Sequence, residues 1–415
     1  MANRHIVVIG AGIVGVCTAS YLLRDGCEVT LLDPQGAGEG ASFGNAGALA
    51  VAEVVPLSTP GILWQVPGWL LDPLGPLAIR WHYLPRLIPW LWRFLRVANP
   101  RDLLRIATAQ AGLMRTVFAD FAVLLEDAGI SHWLTRGGAM TLYRDDKARA
   151  ADADTWALRA RFGVRFEALD GAAIRAREPA IAEDWRHAVY TPDWGHVRDP
   201  YELTTALAVH AGRLGLRLLR GQATDFELAG GRVTAVRTAD GQRLACDGVV
   251  IAAGAWSRPL AARLGSRVPL DCERGYHLTL PEPGVKLETY LLYADGGFVI
   301  LPMSDGRIRL AGTVELGGLA APPDYRRARV LLTKARAILP GLRDAGASEW
   351  MGHRPSLPDS LPVLGPAPHV TNAWFAFGHG HLGLTQAATS GRIVADLAAG
   401  RDPGLDLGPY RADRF

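Results

Sequence analysis

Ile6-Val7-Val8-Ile9 runs directly into Gly10-Ala11-Gly12-Ile13-Val14-Gly15, and no other stretch restricts the fold of this chain as much. Four apolar residues closed by glycine predict a buried strand, and the pattern from Gly12 to Arg24 predicts a helix. Between them Gly10 makes the tight turn, Gly12 leaves space for a pyrophosphate against the backbone, and Gly15 lets helix and strand pack closely. The helix N-terminus, at Ile13 and Val14, presents its partial positive charge to those phosphates. A second strand, Glu28 to Asp33, ends in a carboxylate 18 residues past Gly15. Asp33 is placed to accept from ribose hydroxyls and to repel a 2′-phosphate. Strand, turn, helix, strand and acid in that order predict a dinucleotide-binding βαβ unit.

The chain has 415 residues, 49% of them hydrophobic, which is more than one compact core organises, so two interleaved lobes are expected. With 44 Lys+Arg against 41 Asp+Glu the formal charge is +3, too even for a phosphate backbone, and nucleic acid is not an expected partner. Cys17, Cys27, Cys246 and Cys272 are widely spaced with no Cys-x-x-Cys, and no His, Cys and carboxylate group has ligand spacing. A reducing, cytoplasmic setting without a metal is expected. Residues 1–5 offer neither the apolar length nor the basic flank of a signal peptide, and no apolar run reaches the about 18 residues of a membrane span.

Residues 34–48, rich in Gly, Ala and Ser, predict a loop that approaches a ligand closely. From Pro56 to Arg96 prolines interrupt a stretch holding Trp64, Trp69, Trp81, Trp90 and Trp92, which predicts short helices and loops. These tryptophans either pack inward as a domain wall or, with the neighbouring arginines, form a patch for a membrane surface. Helices are expected over 102–128, 200–215, 324–338 and 382–399. Strands are expected over 138–143, 216–220, 232–237, 244–251, 268–280, 297–313 and 373–377.

The first fifty residues do not separate NAD from FAD, since both carry the ADP moiety. Three later stretches bear on the choice. Ser42 to Gly47, with Asn45 and Ala46 between, offers a second small-residue loop with a hydroxyl. The strand ending at Ile251 runs into Ala252-Ala253-Gly254-Ala255-Trp256-Ser257. Gly378-His379-Gly380-His381-Leu382-Gly383-Leu384-Thr385 opens the last helix, whose N-terminus stabilises negative charge developing on a reduced ring.

With these segments in order, and with Arg274-Gly275-Tyr276, Gly352-His353-Arg354-Pro355 and Pro358-Asp359, the chain resembles the D-amino-acid oxidase superfamily, and within it the bacterial D-amino-acid dehydrogenases. His353 and His381 depart from the subfamily pattern. The resemblance implies FAD, an amine or amino-acid substrate and an α/β fold. In it a Rossmann-type FAD-binding domain (1–55, 196–267 and 350–415) carries an inserted substrate domain on an antiparallel sheet (56–195 and 268–349).

By that analogy Arg354 holds the substrate carboxylate through a two-point fork. Arg274 and Tyr276 alternate onto one face of a predicted strand, so that they are expected to act together, with Tyr276 donating its hydroxyl to the same carboxylate, and His381 touches the flavin or the substrate cavity. Gly10, Gly12, Ile13, Val14, Gly15, Asp33, Ser42, Asn45, Ala46, Gly47, Ala253, Gly254 and Gly380 to Thr385 line the cofactor. The implied reaction moves the α-hydrogen as hydride to flavin N5 and releases an imine, which hydrolyses to a 2-oxo acid and ammonia. The alternatives are oxidation of a secondary amine such as sarcosine or a hydroxylated D-proline, a noncatalytic redox sensor, and an NAD-linked dehydrogenase. The subfamily likeness further implies a quinone or similar acceptor, reached from the periphery of the membrane.

Overall fold

The computed structural model describes residues 4–71 and 75–415; residues 1–3, on which the expectation of no signal peptide partly rests, lie outside the described residues, as does the side chain of Trp69. The strand His5–Ile9 pairs in parallel with Glu28–Asp33 on one side and Gly248–Ile251 on the other. Arg217–Arg220 and Ala373–Phe377 extend this sheet in parallel, and Val363–Pro366 closes one edge antiparallel. Its central strands read as continuous apolar runs because both faces are covered. On one face the helices Ile13–Arg24 and Gly383–Ala398 pack together. They approach so closely at Gly391 that an added Cβ would come within 2.8 Å of the Cys17 backbone. The other face is covered by the three strands Ala223–Ala229, Arg232–Thr238 and Arg243–Ala245 and by the helix Ser257–Arg263.

The second large sheet is mostly antiparallel. From one edge its strands run Ser348–Ser356, Asp271–Leu280, Ile308–Leu316, Phe298–Pro302, Tyr290–Tyr293, Ala139–Tyr143, His187–Thr191 and Glu167–Asp170, with Leu77–Ile79 alongside Ile308–Leu316. Alternation divides the faces. Met140, Leu142, Leu291, Ile300 and Leu310 join the core under the helix Arg326–Ile338, whereas Thr141, Tyr290, Leu292, Val299 and Ala311 turn to a cavity.

The helix expected over 102–128 is two helices, Pro100–Met114 and Val117–Asp127. The hydroxyl of Thr116 donates to Asp120 at 2.6 Å, a local bond that competes with continuation of the first helix. Between Tyr143 and His187 lie three short helices for which periodicity gave no signal. Asp145 and Asp170 cap the outer two by accepting from Ala148 N–H and Ala173 N–H.

Candidate active site

A cavity of about 1410 Å³ runs from the glycine turn of the first sheet to the open face of the second. Each glycine of the turn has its own reason. Gly10 has φ +105° and an added Cβ would lie 2.4 Å from Ala252 O, while one on Gly15 would lie 1.8 Å from Gly10 O. Both are therefore packing requirements. Gly12 is different, since a Cβ there meets only Ser42 Oγ, at 3.4 Å, and otherwise points into the cavity. The helix that follows has no side-chain cap at Gly12 and no acid in its first turn. Ser42 Oγ accepts from Ile13 N–H at 2.9 Å, so the second small-residue loop is docked against the first helix. Asp33 accepts from Ala11 N–H at 2.9 Å through one oxygen and from Gln35 and Gly36 N–H through the other.

Ala253, Gly254, Asn45, Ala46 and the run Gly380 to Thr385 all line the same cavity, with Gly10, Ile13, Val14, Asp33 and Ser42. Gly15 and Gly47 stand behind it; a Cβ on Gly47 would strike Leu301. Thr385 stitches the last helix to the chain after the loop, donating to Ala48 O and accepting from Ala50 N–H, both at 3.1 Å. His379 is buried beneath, bonded to Ser390 Oγ at 2.9 Å, and burial pushes its imidazole down to about 3.

The four candidates for substrate contact separate into two groups. Arg274, wholly buried, does not line the cavity; its guanidinium lies 2.8 Å from Glu315 Oε2 and donates to Ala321 O. Tyr276 borders the cavity, but its hydroxyl donates to Glu315 at 2.6 Å and accepts from Asp324 N–H at 3.0 Å. Burial and Glu315 raise that phenol to about 12. Arg354, by contrast, faces the cavity and donates only to the carbonyls of Thr313 (2.9 Å) and Gly312 (3.4 Å). It makes no ion pair among the described residues, and burial lowers its pKa. Its guanidinium lies over Gly275, where a Cβ would come within 2.2 Å of it. That contact explains the glycine between Arg274 and Tyr276. His381 also faces the cavity, with Nε2 2.7 Å from Glu273.

Sequence reasoning missed Glu273, Glu315 and Tyr290. Glu273 lies directly across the ladder from Arg354, and Glu315 from Arg274. Strand partnership of this kind is not visible in one sequence. Tyr290 is 2% exposed on the cavity wall, and both burial and the charge of Glu53 push its phenol upward.

The family model described as FAD dependent oxidoreductase matches residues 5–397. A D-amino-acid oxidase of Bradyrhizobium diazoefficiens is 40% identical over 100% of this chain and 99% of its own. The chain belongs to this family. A D-amino acid dehydrogenase 2 of Ralstonia nicotianae is 36% identical over 99% of this chain and 100% of its own. The fold is shared with glycine oxidase of Geobacillus kaustophilus, at TM-score 0.76, 23% identity and full coverage of both chains.

As a family member the chain takes FAD, and the residues present fit it. The cavity exceeds the about 1,000 Å³ upper size of ordinary small-molecule pockets, as a dinucleotide with a substrate requires. The acid-free start of the first helix, where only Ile13 N–H is taken up by Ser42, suits a pyrophosphate, and Asp33 uses three of its roughly four acceptor positions, leaving one for ribose. The last helix likewise begins without a side-chain cap or an acid in its first turn.

Proposed function

We propose that this family member oxidises a D-amino acid at its α-carbon, with the substrate carboxylate on Arg354. The observation that carries the reading is the half-buried guanidinium of Arg354, which faces the cavity with donors to spare and no ion pair among the described residues. A partly desolvated cation of this kind gains from an anion that joins it, and its planar fork suits a carboxylate. The relatives named for D-amino acids supply the substrate class. FAD, when bound, supplies the acceptor of the α-hydrogen and its electron pair at N5.

The protein's share of the reaction is placement and electrostatics. Arg354 fixes one end of the substrate, the apolar wall of Tyr290, Leu292 and Val299 excludes water, and His381 flanks the start of the last helix. Arg274 and Tyr276 act behind Arg354 by holding Glu315 and the strand pair that carries it. The imine product leaves and hydrolyses to a 2-oxo acid and ammonia. Segments 1–55, 196–267 and 350–415 are assigned to the FAD domain and 56–195 and 268–349 to the substrate domain, the strand Ser348–Ser356 spanning the last boundary. Anaerobic titration with D-alanine, L-alanine, D-proline and sarcosine tests the function. D-alanine should bleach the flavin band at least tenfold faster than the others, about 1.4 kcal/mol of discrimination. Equal or faster reduction by sarcosine or L-alanine would overturn the reading.

The electrons are proposed to pass to a quinone at the membrane periphery, on the inner face. Among the described residues no helix is long and apolar enough to cross a membrane. Trp64 is 89% exposed, Trp81 69% and Trp92 63%, beside exposed Arg86, Arg93 and Arg96. Indoles with arginines suit the headgroup region of an anionic bilayer. Two members of the stretch serve the fold instead: Trp90 is buried and stacks on Phe94, and Arg80 is paired with Glu315 at 2.6 Å.

A further inference from the structure

Glu273 and Arg354 are direct partners across two antiparallel strands, Asp271–Leu280 and Ser348–Ser356. Side chains so placed share a face, with Cβ atoms about 5 Å apart. An acid and a base in that register ordinarily close an ion pair, yet these two do not. The Glu273 carboxylate is turned away. Ser356 Oγ donates to one oxygen at 2.5 Å, and His381 Nε2 lies 2.7 Å from the other. Arg354 reaches the opposite way, over Gly275 to the carbonyls of Gly312 and Thr313.

We infer that Glu273 is a built-in competitor for the anion site of Arg354, held off by His381 and Ser356 so that the guanidinium stays open to a substrate carboxylate. This rests on the reading of Arg354 given above. The carboxylate is 4% exposed and does not line the cavity, so its charge acts from behind the wall. Burial alone would raise its pKa; His381, Ser356 and Arg354 outweigh burial and hold it below the ordinary carboxylate range. It remains an anion within reach of Arg354, and its field opposes any second anion there. His381 thereby has a task besides facing the cavity, since it anchors one oxygen of Glu273. In this scheme Glu273 and Ser356 are positioning residues.

The scheme predicts effects of opposite sign, which a merely structural role does not. Glu273→Gln removes the charge and keeps both contacts with one of them reversed, the amide oxygen accepting from His381 and the amide N–H donating to Ser356 Oγ. His381→Ala keeps the charge and frees one oxygen to swing towards Arg354. The probe is propionate, a plain carboxylate, titrated into the FAD-loaded protein and followed by the flavin spectrum. Glu273→Gln should lower the Kd for propionate by about tenfold, in line with removal of a like charge roughly 12 Å away at an effective dielectric near 20. The same variant should shift the flavin midpoint potential positive, because one negative charge behind the wall of the cofactor cavity is gone. His381→Ala should raise the Kd several-fold, and adding Glu273→Gln to it should bring the Kd back to the parent value or below. If Glu273→Gln weakens propionate, or His381→Ala tightens it, the competitor role is wrong. His381→Ala decides alone should Glu273→Gln fail to hold FAD, since an unchanged Kd there also overturns it. Arg354→Gln separates this from the parent reading. If that variant binds propionate like the parent, the carboxylate site is elsewhere, whatever Glu273 does to the potential.

Discussion

Arg274 and Arg354 stand on neighbouring strands, and their surroundings assign them different work. Arg274 is enclosed with Glu315, a carboxylate that Arg80 at 2.6 Å and the Tyr276 hydroxyl hold as well. Arg274→Met leaves Glu315 its second arginine and should therefore cost less than the about 3–5 kcal/mol of a buried charge left without any partner, read as a lower melting temperature, with KM changed little in the protein that survives. Arg354→Lys is the converse. Lysine keeps the charge but loses the planar fork, so KM for a D-amino acid should rise roughly ten- to a hundredfold while KM for the amine lacking the carboxylate stays near its parent value. Equal rises for both substrates would make Arg354 structural. Resemblance points to Arg354 rather than Arg274 as the carboxylate ligand, but the physical reason that Arg354 is the unpaired one is not legible in Arg274-Gly275-Tyr276 and His353-Arg354-Pro355. That depends on Glu315 lying opposite one and Ser356 with His381 drawing Glu273 away from the other.

The first βαβ element shows how closely a turn follows from its sequence. The strand is apolar because it lies between two covered faces, and the turn is glycine-rich because backbone approaches backbone at Gly10 and Gly15. Gly12 alone faces the ligand space, so substitutions there grade by size. Gly12→Ala, whose Cβ meets Ser42 Oγ at 3.4 Å, should keep FAD with reduced affinity, and Gly12→Val should purify colourless. Stoichiometric flavin in the valine variant would place the pyrophosphate elsewhere. The region 144–186 was opaque by contrast, because its three helices are too short to show a period and the outer two are set by aspartate caps. The last helix also stores a pH response in His379, held neutral beneath it. Its folded pKa is depressed to about 3 by burial, so between that value and the 6.5 of the free side chain the unfolded chain binds the extra proton. Stability from this group is present above pH 6.5 and is lost as pH falls, at about 1.4 kcal/mol per pH unit. From pH 6.5 to 5 the melting temperature of the parent should fall more steeply than that of His379→Gln; parallel slopes would mean that His379 titrates alike in both states.

At the scale of the whole molecule, two sheets enclose the cofactor space, and one stretch of the outer surface does not look like the rest. Along the helix Leu84–Arg96, Leu87 and Trp90 pack against Leu316, at the end of the strand that carries Thr313. The opposite side exposes Ile88, Trp92, Arg86 and Arg93, and Trp81 stands exposed just before the helix. One helix thus serves both expected readings of this stretch, as a wall inward and a basic aromatic patch outward. A patch of this composition gains about 1 kcal/mol for each arginine near anionic headgroups, with the indoles settling at the interface. Three exposed arginines predict sedimentation with phosphatidylglycerol-rich vesicles at low salt and release at high salt, as screening shortens their reach. Trp92→Ser with Arg93→Ser should abolish the sedimentation and leave reduction of FAD by a D-amino acid untouched, since neither residue borders the cavity. Reoxidation of the parent should then be faster with a quinone carried in those vesicles than with oxygen, and the double variant should lose only that advantage. If the parent ignores anionic vesicles and reoxidises with oxygen as fast as with quinone, the exposed tryptophans have no part in electron transfer and the chain works as an oxidase.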